Sequence, residues 1–309
     1  MRTDYDIIVL GAGPAGLTAG IYAARAHRSV LVLDTGTIGG QTVLSYHVAN
    51  YPGVGETSGR ALSQSMLQQA RAFGCDVKAF ARIANIDLTA RRKTITLKDG
   101  TALTATAVVL ASGGVPRKLG VEGEERFGGR GISYCATCDG DFFTDRPIAV
   151  VGGGNSALEE AVALTRYASH VTVVHEFEHF QAEPWIIAEA RANEKISFLM
   201  NQRVLGFSGG AELAAVQSVD KQTGVATEIP VDGCFVFIGY APNSDAFADQ
   251  VKLTERGEVV TDDTLQTSLP GVFAAGDVRQ KRVRQVTTAV ADGTIAALAA
   301  LEFLSELAA

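Results

Sequence analysis

Twice along this chain the same local order recurs. A short apolar run, Tyr5 to Leu10, leads directly into Gly11-Ala12-Gly13-Pro14-Ala15-Gly16 and a helical stretch from Leu17 to His27. Far downstream, Pro147 to Val151 leads into Gly152-Gly153-Gly154-Asn155-Ser156-Ala157 and a helical stretch from Leu158 to Ala168. A second strand follows each time: Ser29 to Leu33 closed by Asp34, and Val171 to Val174 with Glu176 just beyond. These acids stand 23 and 24 residues past the first glycine of their turns. The glycines let the turn tighten and bring a helix N-terminus against a pyrophosphate, while an acid after the next strand can accept hydrogen bonds from ribose hydroxyls. Two such units predict an α/β chain with two Rossmann-like dinucleotide-binding domains. That is equipment for passing electrons from one dinucleotide to another.

At 309 residues the chain has room for two domains, and 47% hydrophobic with 20% charged residues is an ordinary globular balance. No apolar run is expected to reach the length of a bilayer, and Met1-Arg2-Thr3-Asp4-Tyr5 enters a strand without a signal-peptide core, so a cytoplasmic address and no membrane partner are expected. The net charge of −7 argues against a nucleic-acid surface, which needs clustered Lys and Arg. Small molecules and proteins are the expected partners.

Of the four cysteines, two form the run Cys135-Ala136-Thr137-Cys138-Asp139. In a reducing compartment a CxxC is catalytic or metal-binding rather than a structural staple. Two thiols at this spacing can close a small disulfide, and a thiol of pKa about 8.5 needs help to become the attacking thiolate. Zinc is the rival reading, with His175 and His179 completing the set. The stretch from Cys138 to His175 holds a whole strand, glycine turn and helix, far more than a finger linker, so no metal is expected. Cys75 and Cys234 read as a lone thiol and a core residue.

The remaining chain alternates elements with punctuation. Gly39-Gly40-Gln41 and Asn50-Tyr51-Pro52-Gly53 read as irregular loops, Ala61 to Phe73 as a helix, and Ile83 to Leu88 with Lys93 to Leu97 as short strands. Ala107 to Ala111 is a buried strand running into Ser112-Gly113-Gly114-Val115-Pro116, the first domain boundary. Cys234 to Tyr240 and Thr267 to Asp277 contain later strands, the second closed by Gly276-Asp277, and Thr287 to Leu304 is a final apolar helix.

In order and spacing, Gly11 to Gly16, Gly39 to Gln41, Cys135 to Asp139, Gly152 to Ala157, Gly276-Asp277 and Arg284-Gln285 resemble the low-molecular-weight, bacterial-type thioredoxin reductases over almost the whole chain. The resemblance implies a homodimeric FAD enzyme whose FAD-binding domain, 1–115 and 245–309, is split by an inserted nucleotide-binding-like domain, 116–244, carrying the CxxC. It implies that Gly11, Gly13, Pro14, Ala15 and Gly16 hold the FAD pyrophosphate and Asp34 its adenosine ribose. Gly40, Gln41, Asn50, Ala111 and Gly113 would face the flavin. Gly276 and Asp277 would lie near the ribityl chain, and Arg284, Gln285 and Val286 beside the ring. Cys138 would exchange electrons with the flavin, Cys135 would attack the disulfide of a thioredoxin-like protein, and Asp139 would move the proton. The second nucleotide site would comprise Gly152, Gly154, Asn155, Ser156, Ala157, His175 and Glu176.

One departure stands out. Members using NADPH carry His-Arg-Arg and a further Arg after the second strand of the inserted domain, where this chain has His175-Glu176-Phe177-Glu178-His179-Phe180-Gln181 and no Lys or Arg between Arg166 and Arg191. A 2′-phosphate there is expected to meet negative charge and no guanidinium. In this the chain is similar to the atypical members that take electrons from ferredoxin or carry an extra flavin. Three inputs stay open: NADH on Glu176, a second FAD, or ferredoxin or flavodoxin steered by the run Arg279, Lys281, Arg282 and Arg284. NADPH is the donor not expected. A flavin redox sensor without turnover is the reading from another class.

Overall fold

The computed structural model describes residues 2–45 and 48–307, apart from the side chains of Leu44, Thr137, Cys138 and Tyr240. The chain forms two compact units, Met1–Val115 with Ala241–Ala309, and Pro116–Tyr240.

The first unit opens with β1 (Asp4–Leu10), α1 (Pro14–Arg25) and β2 (Val30–Leu33), then α2 (Gly59–Ala72) and β3 (Asp76–Lys78). Helix α2 starts earlier than the apolar spacing predicts because Ser58 Oγ accepts the Ala61 N–H at 3.1 Å and caps it. Next come β4 (Ile83–Asp87), β5 (Lys93–Leu97) and β6 (Ala102–Leu110). The sheet runs β3-β2-β1-β6-β5-β4. Strand β6 is longer than expected: its first half pairs antiparallel with β5, through Thr104 and Thr94, where alternation leaves every second residue half-exposed and no continuous apolar run. Successive residues of the central strands serve opposite cores, Ile7 and Val9 on one face, Ile8 and Leu10 on the other. Burial on both faces is what a parallel sheet requires.

The chain leaves through β7 (Gly114–Pro116). In the second unit α3 (Glu124–Phe127), β8 (Ile132–Ser133) and α4 (Ala136–Asp139) precede β9 (Pro147–Val151), α5 (Asn155–Leu164), β10 (His170–Val174), α6 (Pro184–Ala192) and β11 (Ile196–Leu199). After these come β12 (Gln202–Gly209), β13 (Leu213–Asp220), β14 (Ala226–Pro230) and β15 (Gly233–Val236). One parallel sheet has the order β11-β10-β9-β15-β8, and β12-β13-β14 form a separate antiparallel sheet. Little in the sequence marks that small sheet, because Gly206 and polar residues interrupt β12, and β13 offers only the four-residue apolar run Leu213 to Val216.

The return crossing is β16 (Tyr240–Pro242), which pairs with β7 as a two-stranded ribbon. It carries the chain back into the first unit at Ala241, four residues before the expected boundary. Strand β17 (Val272–Ala274) then joins β6 in parallel, and α7 (Val286–Glu306) ends the fold. The expectation that no apolar run has bilayer length is corrected here: among the described residues α7 is 21 residues long with a window of mean hydropathy 1.4. Its small face packs on α1, so closely that a Cβ on Gly293 would fall 2.2 Å from the Ala15 carbonyl oxygen. Asp292, on the same helix, is buried.

Candidate functional site

In the first unit the glycine turn is built from two constraints and one opening. Gly11 has φ +112, and a Cβ there would fall 2.1 Å from the Ala111 carbonyl oxygen at the end of β6. A Cβ on Gly16 would fall 1.9 Å from the Gly11 carbonyl oxygen. Gly13 is different, because the nearest atom to its added Cβ is Gly40 Cα at 3.9 Å. It precedes α1, whose Pro14 stands in the first turn and whose leading N–H groups have no side-chain cap. Uncapped N–H groups at a helix start are a ready anion site. Ala15 is buried against Gly276 across this turn.

Asp34 follows β2 directly. Its Oδ2 accepts the Ala12 N–H at 2.6 Å and its Oδ1 the Gly36 N–H at 2.7 Å, which fixes the carboxylate beside the turn with lone pairs to spare. Gly39 N–H donates to the Ala12 carbonyl at 2.8 Å and brings Gly40 against Gly13. The expected loop at Gly40 is a short 3₁₀ turn, Gly40–Leu44. Gln41 Nε2 donates to the Gly114 carbonyl at 3.3 Å, and Asn50 Nδ2 to Gln285 Oε1 at 3.3 Å. Ala111 is buried and Gly113, at φ +64, has open space around it. Gln285 caps α7, whose first residue is Val286.

At the Gly276-Asp277 turn, Asp277 Oδ1 is buried without a hydrogen-bond partner, with Lys281 Nζ at 3.9 Å. Burial pushes its carboxyl pKa up, against the pull of Lys281 and Arg284. The basic run beside it differs from the expected free patch. Buried Asp292 accepts from Gly276 N–H at 3.0 Å, Arg279 Nε at 3.0 Å and Lys281 Nζ at 2.8 Å, and Arg284 pairs with Glu258. Among the described residues only Arg282 of the run is left without an ion pair. Neither Asp292 nor Glu258 belongs to a motif that marks it in the sequence. The available signal for Asp292 is that it is the one charged residue between Val286 and Leu301 in α7.

In the second unit Gly152 repeats the Gly11 relationship: φ is +140 and an added Cβ would fall 2.2 Å from the Phe237 carbonyl oxygen. Gly154 precedes α5, again without a side-chain cap, and Ala157 is buried in its first turn. Asn155 Oδ1 accepts the Glu183 N–H at 2.7 Å, and Ser156 is exposed. The register corrects the expected repeat of the acid. Leu10 pairs with Leu33 and Val151 with Val174, so the position matching Asp34 is His175, and Glu176 lies one residue beyond. His175 is 4% exposed, so it is a support beneath the glycine turn and not a residue at its mouth. A Cβ on Gly153 would fall 2.3 Å from its ring. Its Nε2 meets the His179 carbonyl at 3.1 Å and its ring stacks on Phe180 at 5.5 Å. Burial lowers the imidazole pKa.

Glu176 accepts from Arg203 Nε at 2.9 Å and Lys221 Nζ at 3.3 Å. The expectation of no guanidinium here is therefore corrected, because β12 and the turn after β13 deliver both cations from elsewhere in the chain. Desolvation raises the Glu176 pKa, but hydrogen bonds and charge from Arg203 and Lys221 outweigh it and hold the carboxyl below its usual range.

Cys135 is disulfide-bonded, and Cys75 and Cys234 are free and buried. Burial pushes the Cys75 thiol up to about 12 and raises Cys234 as well, which makes both poor nucleophiles. The Cys138 side chain lies outside the described residues. Ser133, on β8, donates to Asp139 Oδ2 at 2.5 Å and accepts the Cys135 N–H at 3.0 Å. The hydroxyl thus ties the carboxylate after the CxxC to the backbone of its first cysteine, a link absent from the sequence reading.

The family model for pyridine nucleotide-disulphide oxidoreductases matches residues 5–293. Thioredoxin reductase of Listeria innocua is 42% identical over 304 residues, 98% of this chain and 95% of that protein. Among solved structures, thioredoxin reductase of Lactococcus lactis in its FR conformation superposes with a TM-score of 0.94 at 38% identity, covering 98% of this chain and 99% of that one. That of T. acidophilum gives 0.93 at 33% identity over all of both chains.

Proposed function

The chain belongs to the pyridine nucleotide-disulphide oxidoreductase family, and from that premise we propose that it reduces the disulfide of a thioredoxin-like protein with electrons that do not come from NADPH. It is a flavoprotein disulfide reductase of the thioredoxin reductase kind. The residues of the first unit fit an FAD. Space at Gly13 and the uncapped start of α1 suit its pyrophosphate, Asp34 its ribose, and the orphaned Asp277 Oδ1 a ribityl hydroxyl. Gly40, Gln41, Asn50, Ala111, Gly113, Arg284, Gln285 and Val286 would flank the ring.

When bound, FAD supplies the two electrons that open the disulfide at Cys135. Asp139, held by Ser133, would relay a proton at the pair, supplying it to a departing thiolate or removing it to make the nucleophile. Cys135 then attacks the acceptor disulfide, and Cys138 displaces the mixed disulfide, so the enzyme pair closes as the acceptor leaves as a dithiol.

The observation that carries the donor reading is Glu176 with Arg203 and Lys221 engaged on it. The two cations are neutralised in part before any ligand arrives, and Glu176 would repel a 2′-phosphate while accepting from a free ribose hydroxyl. A dinucleotide without that phosphate, NADH or a second FAD, is the occupant this favours. Ferredoxin steering loses support, since Asp292 and Glu258 pair with most of the basic run. The reading includes a homodimer, supported by exposed Ile295 and Leu298 on α7, and a cytoplasmic address, where dithiols persist. Counting flavin released on denaturation tests the occupant: two per chain supports a second FAD, and one excludes it and leaves NADH or ferredoxin, which donor assays then separate. Replacing Cys138 with Ser should abolish disulfide turnover with FAD still bound; full turnover would overturn the assignment.

A further inference from the structure

The second nucleotide site holds a phosphate clamp that one carboxylate keeps closed. We propose that Arg203 and Lys221 form a latent anion site, and that Glu176 is the single residue excluding a 2′-phosphorylated adenosine from it. This deepens the donor reading above and rests on it.

The placement comes from three elements. Glu176 directly follows His175, whose ring abuts Gly153 in the glycine turn, so its carboxylate stands one residue from the group that supports that turn. Gln181 N–H donates to the Gly153 carbonyl at 2.8 Å, and this holds the 177–181 segment against the same turn. Arg203 leaves β12 and Lys221 the turn after β13, and both end on the same oxygen, Glu176 Oε1. Lys221 Nζ also lies 5.1 Å from the Phe177 ring centre, which orients it toward this rim.

All three heads are open to solvent, with side chains 57%, 35% and 41% exposed for Arg203, Lys221 and Glu176. Ion pairs this exposed hold weakly, so the cations are free to turn to another anion once the carboxylate charge is gone. A guanidinium and an ammonium within reach of one oxygen are the donor set that recognises a phosphate. The clamp is invisible to a motif search because its cations lie 27 and 45 residues from Glu176.

The test uses FAD-loaded protein titrated calorimetrically with 5′-AMP and with 2′,5′-ADP, which differ only by the 2′-phosphate. In wild type, 5′-AMP binds at least as well. Glu176→Gln is expected to shift the affinity ratio toward 2′,5′-ADP by about tenfold or more, and adding Arg203→Gln to that variant should abolish the gain. Glu178→Gln makes the same charge change on an exposed neighbour and should shift the ratio less than about threefold. If E176Q still binds 5′-AMP with an unchanged ratio, or keeps its gain without Arg203, the latent clamp is wrong and the donor reading stands. Wild type already preferring 2′,5′-ADP overturns both, whereas no variant binding either probe overturns the clamp and leaves the donor reading, with a second FAD in the site, standing.

Discussion

Ser133 Oγ lies 2.5 Å from Asp139 Oδ2, and the same hydroxyl accepts the N–H of Cys135 at 3.0 Å. One buried side chain thus sets the carboxylate and the first redox cysteine in a common frame. A hydrogen bond to a charged group is worth about 1.5–3 kcal/mol, so Ser133→Ala should lower thioredoxin-coupled turnover on the order of tenfold or more. Asp139→Asn should cost on the order of a hundredfold or more. Flavin content should stay at wild type in both, and unchanged turnover in S133A would show that Asp139 needs no such support.

The glycine turn of the first unit separates folding from binding. Gly11→Ala puts a Cβ into the Ala111 carbonyl at a positive φ and should fail to give stable protein. Gly13→Ala meets nothing closer than 3.9 Å and should fold, yet lose FAD because the methyl occupies the pyrophosphate's place. Circular dichroism and the flavin-to-protein ratio decide it. A G13A protein that keeps its flavin would contradict the cradle.

Asp292 neutralises two cations inside the fold, and Lys281 is 7% exposed. Removing one partner of a buried pair costs about 3–5 kcal/mol. Asp292→Ala should therefore lower the melting temperature clearly and loosen the Gly276-Asp277 turn, seen as faster FAD loss on dilution. A melt indistinguishable from wild type would contradict this.

Glu160, on α5, has a buried Oε2 without a hydrogen-bond partner, and burial, with help from the Glu159 charge, pushes its carboxyl from 4.5 to about 7. The folded chain keeps this proton where the unfolded chain has released it. The group's contribution to stability is complete below about 4.5 and is lost as the pH rises through about 7. Glu160→Gln should be more stable than wild type at pH about 8, by up to about 3 kcal/mol, with the gap closing near pH about 5. Thermal melts across that range check the sign, and a constant offset would contradict it.

Much of the site was legible because its parts are local in the chain. Each glycine turn spans six residues and the redox run five, and their chemistry follows from adjacent residue types. What sequence reasoning misjudged depends on distant partners. Glu176 reads as an unopposed acid until β12 and β13 bring Arg203 and Lys221 to it. The basic run reads as a free patch until Asp292 reaches back from α7. His175 takes the Asp34 position through strand register, a matter of one residue that spacing alone does not resolve. The strand that supplies Arg203, β12, breaks its apolar residues with Gly206 and begins and ends on polar or small ones, so no long apolar run marks it.

The most direct test of the account is anaerobic rapid mixing of the FAD-loaded protein with NADPH at micromolar concentration, followed by the visible absorbance of the flavin. No rapid bleaching by NADPH is expected. Rapid bleaching by NADPH would contradict it, because Glu176 with its two engaged cations would then admit the 2′-phosphate it is argued to exclude.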